Sequence, residues 1–517
     1  MPGREDSSVW TFVPAKPRVI VPKRWVRTPK PHEWSGDRSY RRSLKRDRSV
    51  ADDLWVHLPT HRIGPPEYVP LTDVLAALSF ALDLTEGRPM GHSLRTNLIA
   101  MELAARLDLP MQVRRDTYYA ALLKDAGCSS NAAAVFEFFG GDDIAAKRAR
   151  MKRDWTRDVQ AALYAFEVSS PDSSWFDRAR RAAELARMGP RAAVKLVQVR
   201  CDRGAEIVTQ LGLGFGVSEG VRALEEHWDG NGHPRGLRGE EIPIVSRLLG
   251  LAQVLEVFTA ESGAWSALAL VTRRSGKWFD PRVVAACRGM EPLLTRWSTM
   301  STRELRAEVA LAEPGQASLL AGTATLQRVA HVFAGIVDAK SHFTGAHSHR
   351  VASLAVSVAN TLGWSPERIE ETRSAALLHD LGKLSVPNSI LDKPGRLDAG
   401  EWEIMRMHAL YTERILEHVA GFEWLAFASA AHHERVDGTG YCRGIEGDMI
   451  PDLSRVLALA DVYDALSTAR PYRGALAPEE VWAIMDRGGA RGFDAECYEA
   501  LRSVTRRDHG REDERAA

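Results

Sequence analysis

The chain has 517 residues, 45% of them apolar and 26% charged, enough to bury ample core in two or three domains. Sixty-eight basic residues balance 68 acidic ones, so formal charge is zero and the bulk balance gives no strong signal for nucleic-acid binding. No apolar run approaches the ~18 residues of a membrane span, and the N-terminus lacks the apolar centre of a signal peptide. Five cysteines, Cys128, Cys201, Cys287, Cys442 and Cys497, are odd in number and never spaced Cys-x-x-Cys, which fits reduced thiols and a cytoplasmic location.

Residues 1–65 form a basic, proline-rich segment without apolar periodicity. Its first fifty residues hold 13 Lys or Arg against 5 acids, and it is expected to be a flexible tail. A helical domain is expected over 66–290, with an insertion at about 140–216, where basic helical text such as Ala146 to Arg153 occurs. Residues 291–325 read as a helical linker, with Arg303 to Leu311 helical and Pro314-Gly315 breaking it. A second helical domain is expected over 326–506. There Val351, Leu354, Ala355, Val358 and Leu362 keep a spacing of three or four, and Gly363 supplies a stop. Ser365-Pro366-Glu367 restarts the chain, Asp398 with Glu401 forms a capping box ahead of the next helix, and Pro478-Glu479-Glu480 opens another. Glycine and proline concentrate between Asp437 and Pro451, and a charged tail, 507–517, ends the chain.

The second domain sets out seven metal-ligand side chains in five clusters: His347, His379-Asp380, His408, His432-His433 and Asp461. The gaps of 32, 28, 24 and 28 residues each allow a helix and a turn, so every return of the chain can bring ligands to one point. Any one of these histidines alone would more often be an ordinary hydrogen-bonded residue; the cluster decides otherwise. Imidazoles and carboxylates without thiolate suit divalent first-row ions, and Asp380 bridging two ions closes the count. Asp380 follows the apolar run Ala375–Leu378, where an uncompensated carboxylate would cost several kcal/mol. His331, His342, His349 and His418 fit no cluster and read as solvated or capping residues. Asp464 reads as a supporting carboxylate.

His379-Asp380-Leu381-Gly382-Lys383, the run His432-His433-Glu434-Arg435-Val436-Asp437-Gly438-Thr439-Gly440-Tyr441, then Asp461-Val462-Tyr463-Asp464 and Arg470-Pro471-Tyr472-Arg473 resemble the HD-GYP phosphodiesterases over about 180 residues. The resemblance implies an all-α fold, a centre of two transition-metal ions, iron or manganese, and hydrolysis of a cyclic dinucleotide, cyclic di-GMP first, in bacterial signalling. It assigns the same seven residues to the metals and makes Lys383 a group that holds a phosphate or protonates the leaving 3′ oxygen beside Asp380. It puts Arg470, Arg473 and Tyr441 against the substrate, guanidinium forks being suited to phosphates. Cys442 stands where the family's signature has proline, which is expected to loosen that loop. Phe343 stands where three-metal members have glutamate, so two ions are expected. A nucleotide-binding effector without catalysis, a hydrolase of another nucleotide and a scaffold with a structural metal are the alternatives.

The first domain repeats the second. Gly91-His92-Ser93-Leu94-Arg95 resembles Ala346-His347-Ser348-His349-Arg350, Lys124-Asp125-Ala126-Gly127-Cys128 resembles His379–Lys383, and both pairs of motifs are separated alike, His92 to Asp125 and His347 to Asp380 each spanning 33 positions. In the first copy Lys124 replaces His379, Cys128 replaces Lys383, Leu224 and Glu225 replace His432 and His433, and Gln253 replaces Asp461. The expected architecture is therefore two tandem HD-type helical bundles, the N-terminal one degenerate and without metal, serving regulation, a signalling partner or a homo-oligomer contact.

Overall fold

The computed structural model describes residues 68–139, 142–150, 190–315, 319–470, 473–488 and 492–516, with positions 176 and 180. The basic segment 1–65 and most of the expected insertion lie outside them. The described chain is helical, as expected, apart from an antiparallel pair of two-residue strands that sets Val69 opposite Ala321 and Pro70 opposite Leu320. Local signals do what the sequence implies: Ser365 and Asp398 cap their helices, and Ser301 with Glu304 boxes the Thr302–Leu311 linker helix. The last helix, Ala495–Ala516, runs on through the tail.

Several contacts recur in the two halves. Asp83 accepts from Ser93 N at 3.0 Å as Asp338 accepts from Ser348 N at 3.2 Å, an offset of 255 positions. Glu226 accepts from Arg235 N at 2.7 Å as Glu434 accepts from Arg443 N at 2.6 Å, an offset of 208. Arg247 pairs with Asp280 as Arg455 pairs with Asp494. The difference, 255 − 208 = 47, is the extra length of the first half, and the packing of two glycines locates it. A Cβ on Gly127 would lie 1.9 Å from Arg200 O, and one on Gly382 would lie 2.0 Å from His408 O. Both glycines let a loop touch a helix backbone, so Arg200 is the counterpart of His408 and the 47 residues fall before it.

The halves are not separate bodies. A single apolar cluster runs through both, from Val69 to Val504. Leu71–Thr85 of the first half packs on the turn Leu381–Ser385 and the helix Ala399–Leu416 of the second; Thr323–Asp338 of the second packs on Cys128–Asn131 and Pro190–Gln210 of the first. A polar contact crosses the same seam, Asp143 Oδ1 accepting from Asn388 N at 2.9 Å, and each side is tied within its own half, Lys147 donating to Cys128 O at 2.8 Å in the first and Lys340 to Leu384 O at 2.7 Å in the second, all three side chains being buried. His418, read as solvated or capping, instead sets its ring edge-on against Phe80 of the first half, centroids 4.9 Å apart.

Candidate metal centre

Each of the seven ligand positions arrives from a helix end or a helix face. His347 opens the helix His347–Thr361, behind Ala346 in the left-handed region at φ 58°, where Gly91 stands at φ 92° in the first half. His379 and Asp380 lie where Pro366–Leu378 gives way to the turn Leu381–Ser385. His408 comes from Ala399–Leu416, His432 and His433 from the turn Ala431–His433, and Asp461 from Asp452–Ser467.

They meet around Asp380, which is 1% exposed. Its Oδ2 lies 3.4 Å from His347 Nε2 and 3.3 Å from His379 Nε2; its Oδ1 lies 3.5 Å from His408 Nε2 and 3.9 Å from His432 Nε2. Asp461 Oδ1 is 3.3 Å from His347 Nε2. The donor atoms of His347, His379 and Asp461 lie within 4.8 Å of one another, and so do those of His408, His432 and His433. One carboxylate therefore separates two triads.

Four of the imidazoles are hydrogen-bonded on their far side. His379 Nδ1 donates to Ala376 O, His408 Nδ1 to Met405 O and His432 Nδ1 to Ser429 O, at 2.6 to 2.7 Å, while His347 Nδ1 donates to Asp464 Oδ2 at 2.7 Å. The Nε2 atoms of these four histidines are left on the side of the centre. Burial pushes His408 down to about 4 and His433 down to about 3, so both are neutral at neutral pH. Burial also opposes the charge of Asp380 and Asp461, but His379 and Lys383 hold Asp380, and His347 holds Asp461, well below the usual carboxylate range. Neutral His408 and His433 and ionised Asp380 and Asp461 are forms that bind cations; burial opposes a charge on His347, but Asp380, Asp461 and Asp464 hold it well above the usual imidazole range. His347 Nε2, His379 Nε2 and Asp380 Oδ1 are buried without a hydrogen-bond partner. Atoms left so cost about 1–3 kcal/mol each unless something supplies positive charge, and divalent ions fit that need.

Around the centre, Lys383 Nζ lies 2.5 Å from Asp380 Oδ2. The Tyr441 ring stacks on His433, centroids 4.6 Å apart. On either side of Cys442 its loop is hydrogen-bonded: Tyr441 N donates to His433 O, and Arg443 N and Gly444 N both donate to Glu434. Arg473 is spent on the end of the Asp452–Ser467 helix, donating to the carbonyls of Leu466 and Gly474 at 2.9 Å and to that of Ala465. Arg470 pairs with Arg473 through the backbone. Pro471 and Tyr472 lie outside the described residues. Sequence reading missed Arg350, which holds Asp464 at 2.6 Å, and Trp402 and Arg406, which flank Tyr441. The repeat could have found the first, since Arg95 holds Glu256 likewise.

In the first half protein cations occupy the matching pocket. Lys124 Nζ contacts Asp125 and lies 2.9 Å from His92 Nε2, and Arg200 pairs with Glu225. Glu86, Asp125 and Cys128 also converge, but burial pushes the Cys128 thiol well up, and a protonated thiol is a poor ligand.

The HD domain family matches residues 142–283 and 331–497 of this chain. The 3′3′-cGAMP-specific phosphodiesterase 3 of Vibrio cholerae is 40% identical over 84% of this chain and 94% of its own length. A cyclic di-GMP phosphodiesterase response regulator of Xanthomonas campestris is 36% identical over 34% of this chain and 46% of its own. The crystal structure of a V. cholerae cyclic GMP-AMP phosphodiesterase superposes with a TM-score of 0.60 at 35% identity, covering 85% of this chain and 98% of that one. The chain belongs to the HD domain family, as an HD-GYP-type phosphodiesterase. Among the described residues no helix is long and apolar enough to cross a membrane.

Proposed function

We propose that the second half hydrolyses a phosphodiester bond of a cyclic dinucleotide, to a linear dinucleotide and then mononucleotides. The observation that carries this reading is Asp380, whose two oxygens face two separate imidazole groups. His347, His379 and Asp461 would hold one divalent ion, His408, His432 and His433 a second, and Asp380 both. Iron or manganese suits this donor set. Bound there, the pair supplies Lewis acidity, polarising the phosphodiester and acidifying a water.

The chain's own groups do the rest. Lys383, beside Asp380, faces the charge that grows on the 3′ oxygen as the P–O3′ bond breaks and a P–O bond from water forms, and donates that oxygen its proton. Arg470 binds a phosphate, and Arg473, by capping the helix end, positions it. Tyr441 shields His433 from water on one face.

Of two substrates, 3′3′-cGAMP is favoured over the cyclic di-GMP expected from sequence, because the relative named for it matches across both halves, whereas the Xanthomonas enzyme matches over a third of the chain. The first half is read as a copy that exchanged metals for Lys124 and Arg200. The cysteines, none of them spaced Cys-x-x-Cys, support a cytoplasmic location.

The test is metal analysis of anaerobically purified protein joined to hydrolysis of both cyclic dinucleotides. Two ions per chain and cleavage that falls to background in Asp380→Ala are expected. Full metal with both substrates left intact would instead favour a nucleotide-binding effector.

A further inference from the structure

Two residues at the outer edge of the site, Trp402 and Arg406, have no part in the hydrolytic scheme. Trp402, six residues ahead of His408 on the same helix, is 40% exposed. Its ring lies edge-on to Tyr441, centroids 6.1 Å apart, and Tyr441 stacks on His433 at an interplanar angle of 27°. Arg406, one turn further along the helix, holds its guanidinium 5.6 Å from the Trp402 ring and 5.2 Å from Tyr441. Arg406 Nε is buried without a hydrogen-bond partner, and the ion pair of Nη1 with Glu403 is 3.6 Å long, beyond a hydrogen bond.

An exposed tryptophan, an arginine with donors unspent and a tyrosine that touches a metal-ligand imidazole form a continuous path from solvent to the centre. Every nucleobase has a π face that an indole can cover, and a guanidinium fork matches the O6 and N7 acceptors of guanine, whereas adenine offers a donor at the first of these places. We propose that Trp402, Arg406 and Tyr441 form a platform for a purine base of the substrate, guanine by preference, with the base stacked on Trp402 and Arg406 donating to its acceptor edge. The platform rests on the phosphodiesterase reading and assigns the part of the substrate that is not phosphate.

Steady-state kinetics with a cyclic dinucleotide and with bis(4-nitrophenyl) phosphate separate base recognition from chemistry. Trp402→Ala should raise KM for 3′3′-cGAMP at least about fivefold, the lower end of base–aromatic stacking, while kcat/KM for the small diester changes by less than about twofold. Trp402→Phe should recover most of the loss, and Arg406→Ala should narrow the preference for cyclic di-GMP over cyclic di-AMP. Equal losses on both diesters, or no loss on either, would overturn the platform. A wild-type protein that cleaves neither diester would instead overturn the phosphodiesterase reading, before any variant is made.

Discussion

Asp143 Oδ1 accepts a 2.9 Å hydrogen bond from the backbone N–H of Asn388, joining the first half of the chain to the second across 245 residues. Asn388 lies five residues past Lys383, and its side chain donates to Lys340 O, whose own ammonium donates to Leu384 O. The loop that carries Lys383 is thus held from outside its own bundle.

Asp143→Ala leaves a buried N–H without an acceptor and removes the carboxylate beside Lys147 and Lys340. It should cost about 3 kcal/mol in denaturant unfolding, the scale of breaking a buried charged contact, while Asp143→Asn, which keeps an acceptor, should cost about 1 kcal/mol. Equal losses for the two would argue that Asn388 N is not the partner that matters.

Removing residues 1–300 should not yield a working enzyme. The deletion strips Leu71–Thr85 from the turn Leu381–Ser385 and opens a shared core, so dye-binding apolar surface and loss of cooperative unfolding are expected. A fragment that melts cooperatively with full activity would show that the halves are independent.

Gly382→Ala tests how tightly the ligand loop sits on its helix. The added methyl would fall 2.0 Å from His408 O, so the loop and the helix must part. Lost affinity for the metal held by the His408 triad is expected, seen as loss of one ion per chain; unchanged metal content would mean the contact is looser.

His418, packed against Phe80 at the seam, is pushed by burial, with Arg306 and Arg414 adding, from 6.5 to about 4. Because the unfolded chain takes up this proton at a pH where the folded one refuses it, the stability is fully present above pH 6.5 and is lost as pH falls toward 4. At about 1.4 kcal/mol per unit, the loss over that window is on the order of 3 kcal/mol. Denaturation of wild type and His418→Phe should diverge below pH 6.5; parallel curves would place His418 in water.

The seven ligand positions are legible in the sequence because each imidazole or carboxylate recurs at a helix-length interval, a pattern that ordinary packing has no reason to produce. Lys383 is legible from its place beside Asp380. Arg200, the counterpart of His408, is hidden by the 47 extra residues, which break the register between the copies before it resumes at an offset of 208. Arg473 reads as a phosphate group by its charge, whereas the helix end 465–468 has unmet carbonyls that claim it. Trp402 carries no sequence signal, since an indole on an amphipathic helix reads as core until burial is known. The interlocking of the halves is equally silent: Leu71–Thr85 is apolar enough to pack anywhere, and only the fold says that it packs on the other copy's ligand turn.

The central claim is that Asp380 stands between two cations. Anomalous diffraction at the iron and manganese edges from anaerobically grown crystals measures this directly. Two peaks are expected, one among His347, His379 and Asp461 and one among His408, His432 and His433, each within bonding distance of a different Asp380 oxygen. A single peak, or any peak that Asp380 does not touch, would contradict it.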